Sequence, residues 1–166
     1  ILEVDQDMSG IVLYGAGNTV INFADGVIES PAFGIDSRRW TEDETANVIT
    51  NSGWIIGADI FGGGPTGIRV DSFDIVTNGL TGVIGSNGDD IDDENERRLY
   101  GITGYYDNLI TNDGRIDVWS HGIRIDEGNT VVNNGEIYSQ GWFDYSPFSD
   151  IGAGIIAQNL SGFPPQ

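Results

Sequence analysis

The chain has no cysteine and no lysine, and only one histidine and one methionine among its 166 residues. Without cysteine nothing is stapled and no thiol chemistry is available, a composition compatible with a bacterial exterior. Without lysine, seven arginines face 26 acidic side chains, and the net charge of −19 leaves no clustered cations to hold phosphates. Nucleic acid is therefore excluded as a partner, and an anionic membrane surface is disfavoured for the same reason. No window approaches the roughly 18 uninterrupted apolar residues of a membrane span, so no membrane insertion is expected. No Ser-His-Asp set, phosphate loop or metal-histidine cluster is present either.

What the chain does have is glycine, 25 residues of it, with a hydrophobic content of 39%. That suits a turn-rich β protein rather than a disordered one. A chain of this length buries about 70% of its unfolded surface, enough for a single domain over residues 1–166. It begins Ile1-Leu2-Glu3-Val4 with no initiator methionine, and is expected to be a piece of a longer secreted protein or a processed product.

Repeats organise the rest. The shortest complete copy is residues 109–129, LITNDGRIDVWSHGIRIDEGN. Its anchor Asn112 lies 21 residues before the next, Asn133, a spacing too short for a strand-helix-strand unit of about 30 residues. It fits one turn of a solenoid of short strands and bends. The anchors are Asn22, Asn51, Asn78, Asn112 and Asn133, and the paired Gly-Ile runs begin at Gly10, Gly34, Gly67, Gly101, Gly122 and Gly154. Two residues before each anchor stand Val20, Ile49, Val76, Ile110 and Val131, all β-branched, as a stacked interior row requires. After the anchors come Ile28, Ile55, Ile84, Ile116 and Ile137.

Successive turns in this register stack as parallel strands about 4.8 Å apart, so about six turns make a rod roughly 29 Å long. The asparagines are expected to form an interior amide ladder at bends where asparagine tolerates left-handed geometry, and the glycine that follows is expected to relieve positive-φ strain. Ile1 to Val4 is read as an entering strand, and the longer inserts, Phe61 to Pro65, Asn87 to Arg98 and Gly141 to Phe148, fall between the Asn bend and the Gly-Ile run. That grouping places them mainly on one side, where repeat proteins carry variable surface.

The segments Asn51-Ser52-Gly53-Trp54-Ile55, Asn112-Asp113-Gly114-Arg115-Ile116 and Asn133-Asn134-Gly135-Glu136-Ile137, with their Gly-Ile runs, resemble the right-handed parallel β-helix of bacterial secreted and surface proteins. Autotransporter passenger domains and large repeat adhesins are examples. The resemblance covers roughly residues 10–156. It implies an all-β, right-handed parallel β-helix, extracellular or at the bacterial cell surface, acting as a non-catalytic stalk or as an adhesive, carbohydrate-contacting section. The same architecture also hosts polysaccharide lyases, epimerases and hydrolases of acidic glycans, which is the alternative. A self-associating fragment, pairing through the free strand edges of an uncapped solenoid end, is a third reading.

Candidate chemistry is spread along the chain. His121, in Ser120-His121-Gly122-Ile123, faintly resembles the Gly-His-Gly segment of polygalacturonase-type hydrolases; the plainer expectation is a bend or surface histidine. Arg69 and Arg124 share a register in Gly-Ile-Arg-Val-Asp and Gly-Ile-Arg-Ile-Asp, turned outward by period-two alternation. They either clamp a uronic-acid carboxylate, completing a catalytic set with His121, or form a salt ladder with Asp36, Asp71 and Asp126, which is favoured. The aromatics Trp40, Phe61, Tyr100, Tyr105, Tyr106, Trp119, Trp142, Phe143, Tyr145 and Phe148 are assigned to inserts. Of these, Trp119, Trp142, Tyr145, Tyr105 and Tyr106 are the candidate contacts for a polysaccharide or cell-surface glycan. Asp5 and Asp7 have the opening spacing of a calcium loop but Ala16 where a bidentate glutamate belongs, and Asp89, Asp90, Asp92 and Asp93 form the densest acidic run. Ca2+ is the one ion such oxygen-rich segments suit, and no other cofactor is expected.

Overall fold

The computed structural model describes residues 9–39, 45–58, 66–87, 100–139 and 154–157. The inserts expected at residues 61–65, 88–98 and 141–148, and the entering strand at Ile1 to Val4, lie outside them. The described residues form sixteen strands and no helix. In chain order they are β1 (Ile11–Tyr14), β2 (Thr19–Asn22), β3 (Val27–Ser30), β4 (Phe33–Arg38), β5 (Val48–Asn51), β6 (Trp54–Ala58), β7 (Thr66–Ser72) and β8 (Ile75–Asn78). The series continues with β9 (Val83–Asn87), β10 (Tyr100–Tyr106), β11 (Leu109–Asn112), β12 (Arg115–Val118), β13 (His121–Ile125), β14 (Thr130–Asn133), β15 (Glu136–Ser139) and β16 (Ile155–Ala157).

Every third strand joins the same sheet. Sheet A runs β1, β4, β7, β10, β13, β16; sheet B runs β2, β5, β8, β11, β14; sheet C runs β3, β6, β9, β12, β15. Neighbours within each sheet are parallel, so the chain passes A, B, C and returns to A one level on. The three sheets enclose three columns of β-branched side chains: Ile35, Ile68, Ile102 and Ile123 from sheet A; Ile49, Val76 and Ile110 from sheet B; Ile55, Ile84 and Ile116 from sheet C. All are fully buried. A β-branched side chain has few rotamers to lose on a pleated surface, and each one buried contributes about 1.5–3 kcal/mol.

Each corner solves a different problem. Between sheets B and C, the side-chain amide of every anchor donates to the side-chain carbonyl of the next: Asn22 to Asn51 and Asn51 to Asn78 at 2.8 Å, then Asn78 to Asn112 and Asn112 to Asn133 at 2.7 Å. The same amides reach backbone carbonyls of the bend, such as Gly82 and Arg115 from Asn78, both at 3.2 Å. The bend thereby keeps its polar groups satisfied in a place that excludes water.

The expected left-handed geometry at this corner is corrected. Neither the anchor asparagines nor Gly53, Gly82, Gly114 and Gly135 have positive φ. Glycine is required there by clearance: a Cβ on Gly114 would stand 2.3 Å from the carbonyl oxygens of both Gly79 and Gly82. The left-handed residues sit instead between sheets A and B, where Gly17, Phe73, Asp107 and Gly128, with φ of 75°, 59°, 52° and 75°, immediately precede Asn18, Asp74, Asn108 and Asn129.

Those four residues, with Asn47, form a second polar column. The backbone N–H of Asn18 donates to the Asn47 side-chain oxygen at 2.8 Å, Asn47 N–H to Asp74 at 3.1 Å, Asp74 N–H to Asn108 at 2.8 Å, and Asn108 N–H to Asn129 at 2.9 Å. Asp74 lacks the amide its neighbours use to bind a carbonyl, as Asn108 binds Asp71 O at 3.1 Å. The guanidinium of Arg39 fills the role, donating both to Asp74 at 3.2 Å and to Thr45 O at 2.9 Å.

At the corner from C back to A, a Cβ on Gly34, Gly67, Gly101 or Gly122 would collide with the Cγ2 of Ile55, Ile84, Ile116 or Ile137, at 2.1 to 2.6 Å. The glycine of each Gly-Ile run is therefore the space into which the isoleucine after the Asn bend packs.

Candidate ligand-binding face

Sheet A carries the chemistry. In parallel register two lines of side chains stack across β4, β7, β10 and β13: Phe33, Thr66, Tyr100, His121, and beside them Asp36, Arg69, Thr103, Arg124. Residues 33 to 36, 66 to 69, 100 to 103 and 121 to 124 are thus four levels of one arrangement. They place His121, Arg69 and Arg124 on a single sheet, with Thr103 between the two arginines.

The Asp36 carboxylate is fully buried and is the electrostatic centre. Arg69 holds it with two bonds, Nε to Oδ1 at 2.7 Å and Nη2 to Oδ2 at 2.6 Å, and Arg38 Nε reaches Oδ2 at 2.5 Å. Two guanidiniums on one carboxylate leave a local positive excess in a chain of strongly negative charge. The Arg69 guanidinium also lies 4.0 Å from the centre of the Phe33 ring, and that of Arg124 lies 5.5 Å from the Tyr100 ring. Stacking of this kind suits the planar, weakly hydrated guanidinium.

The salt ladder takes a narrower form than the register suggested. Asp36 pairs with Arg69 across strands, while Asp71 accepts the backbone N–H of Arg39 at 3.1 Å. One carboxylate oxygen of Asp126 is buried without a hydrogen-bond partner. His121 is neither in a bend nor on the surface: it opens β13, is buried, and packs on Tyr100 with ring centres 5.5 Å apart and 37° between planes. Its burial follows from register, since Tyr100 occupies the same position one level below.

Because the Arg69 fork matches both carboxylate oxygens of Asp36, shortening it to a point charge forfeits the bidentate geometry. Arg69→Lys is expected to lower stability by about 1–2 kcal/mol, read by denaturant titration. No loss would mean that the pair adds nothing to the fold.

Tyr100, Tyr105 and Tyr106 belong to β10 itself and not to an insert. Tyr105 and Tyr106 are exposed near one end of the sheet A strands, and Trp119 is exposed in the bend leading into β13. The two groups flank Thr103 and Arg124, with Tyr100 and Tyr106 about 20 Å apart along the strand. Trp142 and Tyr145, the other aromatics singled out, and the acidic residues Asp5, Asp7, Asp89, Asp90, Asp92 and Asp93 lie outside the described residues. Among those described, no three His, Cys, Asp or Glu side chains converge as a metal site.

No family model matches the chain. No curated protein and no solved structure is significantly similar to it.

The residues missed from sequence are the second polar column and the line of Phe33, Thr66 and Tyr100. A signal for the column was present: Asn18, Asn47, Asp74, Asn108 and Asn129 each stand four residues before a ladder asparagine. For the aromatic line the signal was weaker, because its members share no chemistry beyond their place before Gly-Ile.

Proposed function

We propose that the chain is a right-handed parallel β-helix of about six turns at the 4.8 Å strand spacing, serving as a non-catalytic module of a bacterial surface or secreted protein that contacts acidic glycans through sheet A. The observation that carries the reading is the gathering of Arg38, Arg69 and Arg124 over the rings of Tyr14, Phe33 and Tyr100. A sugar ring needs an aromatic or guanidinium plane to lie against, and a uronate adds a negative charge for which this sheet holds a local surplus of cations. The exposed Tyr105, Tyr106 and Trp119 extend the platform toward both ends of the strands.

The presence of His121, Arg69 and Arg124 on one face favours a second reading, an enzyme acting on acidic polysaccharides. Against it, both donor nitrogens of the Arg69 fork are spent on Asp36 and the histidine is packed beneath Tyr100. Neither group is placed to clamp a substrate carboxylate or take its proton without rearrangement.

Binding of the chain to an array of polyuronates and neutral glycans separates the two. The module reading expects retention of acidic glycans that weakens with salt, a loss of retention in Arg124→Ala, and no unsaturated uronate product from alginate or pectin. Product formation that Arg124→Ala abolishes would establish the enzyme, and indifference to every acidic glycan would remove both.

A further inference from the structure

The outward positions of sheet B form two columns: Thr19, Val48, Ile75, Leu109, Thr130, and Ile21, Thr50, Thr77, Thr111, Val132. All ten are at least partly exposed. None is charged and none is aromatic, although the chain as a whole carries 26 acidic and seven basic residues. The outer face of sheet C, by contrast, shows Glu29, Trp54, Arg115, Asp117, Glu136 and Tyr138.

The parallel register turns these ten side chains into a two-dimensional grid, about 4.8 Å between strands and about 6.7 Å between alternate residues along a strand. Nine of the ten are β-branched, so their methyl groups are held in narrow rotamer wells and little freedom is lost when a surface meets them. Five are threonines, which place a hydroxyl beside each such methyl.

The absence of charge removes ion pairing as a means of recognition, and the absence of aromatics removes the platform a sugar stacks on, which this molecule keeps on sheet A. Face-to-face pairing with a second copy would bring two bodies of charge −19 together with no opposite charge between them. What matches a rigid, uncharged, periodic array of methyl and hydroxyl groups is a partner that is itself uncharged, periodic and hydrogen-bonding. We propose that the outer face of sheet B adsorbs to ice. Oxygen atoms on the faces of an ice crystal repeat at spacings close to both of those in the grid. Threonine hydroxyls take the place of lattice oxygens while the methyls occupy the hollows between them. This proposal uses a face separate from the glycan platform, so either can fail without the other.

The test is inhibition of ice recrystallisation by the full chain, with Thr77→Arg at the centre of the grid, Thr111→Tyr beside it, and Glu29→Arg on sheet C as the control. Thr77 and Thr111 point outward, so circular dichroism and the melting curve should stay unchanged in at least one variant. The expected result is inhibition by the unmodified chain and by Glu29→Arg, and its loss in the folded sheet B variants. Inhibition no greater than that of the same mass of serum albumin overturns the proposal, as does undiminished inhibition in both sheet B variants. Retention on microcrystalline cellulose without any effect on ice overturns it as well, and assigns the face to a neutral polysaccharide.

Discussion

Asn78→Ala is expected to cost the fold about 3–5 kcal/mol, because one truncation strands several buried polar groups at once. The Asn78 side chain accepts from Asn51 at 2.8 Å and donates to Asn112 at 2.7 Å, and its amide is shared with the Gly82 and Arg115 carbonyls. The site is fully buried, so water cannot replace what is lost, and the neighbouring amides must reorient or go unpaired. Asn133, in the last rung, is exposed, and Asn133→Ala should cost less than about 1 kcal/mol. Urea titration of the two variants decides the matter. Equal losses would mean that the ladder is a consequence of stacking and does not hold the coils together. In Asn78→Asp the carboxylate can accept but cannot donate, and it faces carbonyl oxygens in a dry site. Its protonation would be favoured in the folded state, so the stability of that variant should recover as pH falls.

The second large effect concerns clearance. Gly114→Val should give no folded product, a loss of more than about 4 kcal/mol, since nothing near the new Cβ is free to yield. The two nearest atoms are backbone carbonyl oxygens of the preceding coil, and the third is the Asn78 amide nitrogen at 2.8 Å. Gly79, at the equivalent bend one level below, provides the comparison. A Cβ there meets nothing closer than 3.4 Å, so Gly79→Ala should cost less than about 1 kcal/mol. Solubility and circular dichroism of the two proteins give the answer, and a well-folded Gly114→Val would remove the clearance explanation for the whole glycine row.

The asparagine, isoleucine and Gly-Ile rows were legible from sequence because a stacked fold repeats the same residue at the same place. Position along the chain then stands in for position in space. Where chemistry changes within a row, the signal fades. The second polar column went unseen because Asp74 interrupts it, and the structure shows that the interruption is tolerated only through Arg39. Glycine was legible as a residue but not in its role: a sequence cannot distinguish a glycine that needs positive φ, such as Gly17 or Gly128, from one that needs room, such as Gly114. The outward rows were the least legible. Both pairings of Arg69, with a ligand or with Asp36, obey the same alternation, and only the coordinates show the fork closed on the carboxylate. The tyrosines of β10 were assigned to an insert because the strand starts before its Gly-Ile marker.

Successive ladder asparagines are separated by 29, 27, 34 and 21 residues, yet the rungs between them keep one length. The shortest interval already suffices to close a circuit, so the surplus elsewhere is not needed for winding. Length and register are therefore uncoupled here. Longer intervals are places where foreign peptide could be spliced in, or native sequence trimmed away, while the scaffold keeps its pitch.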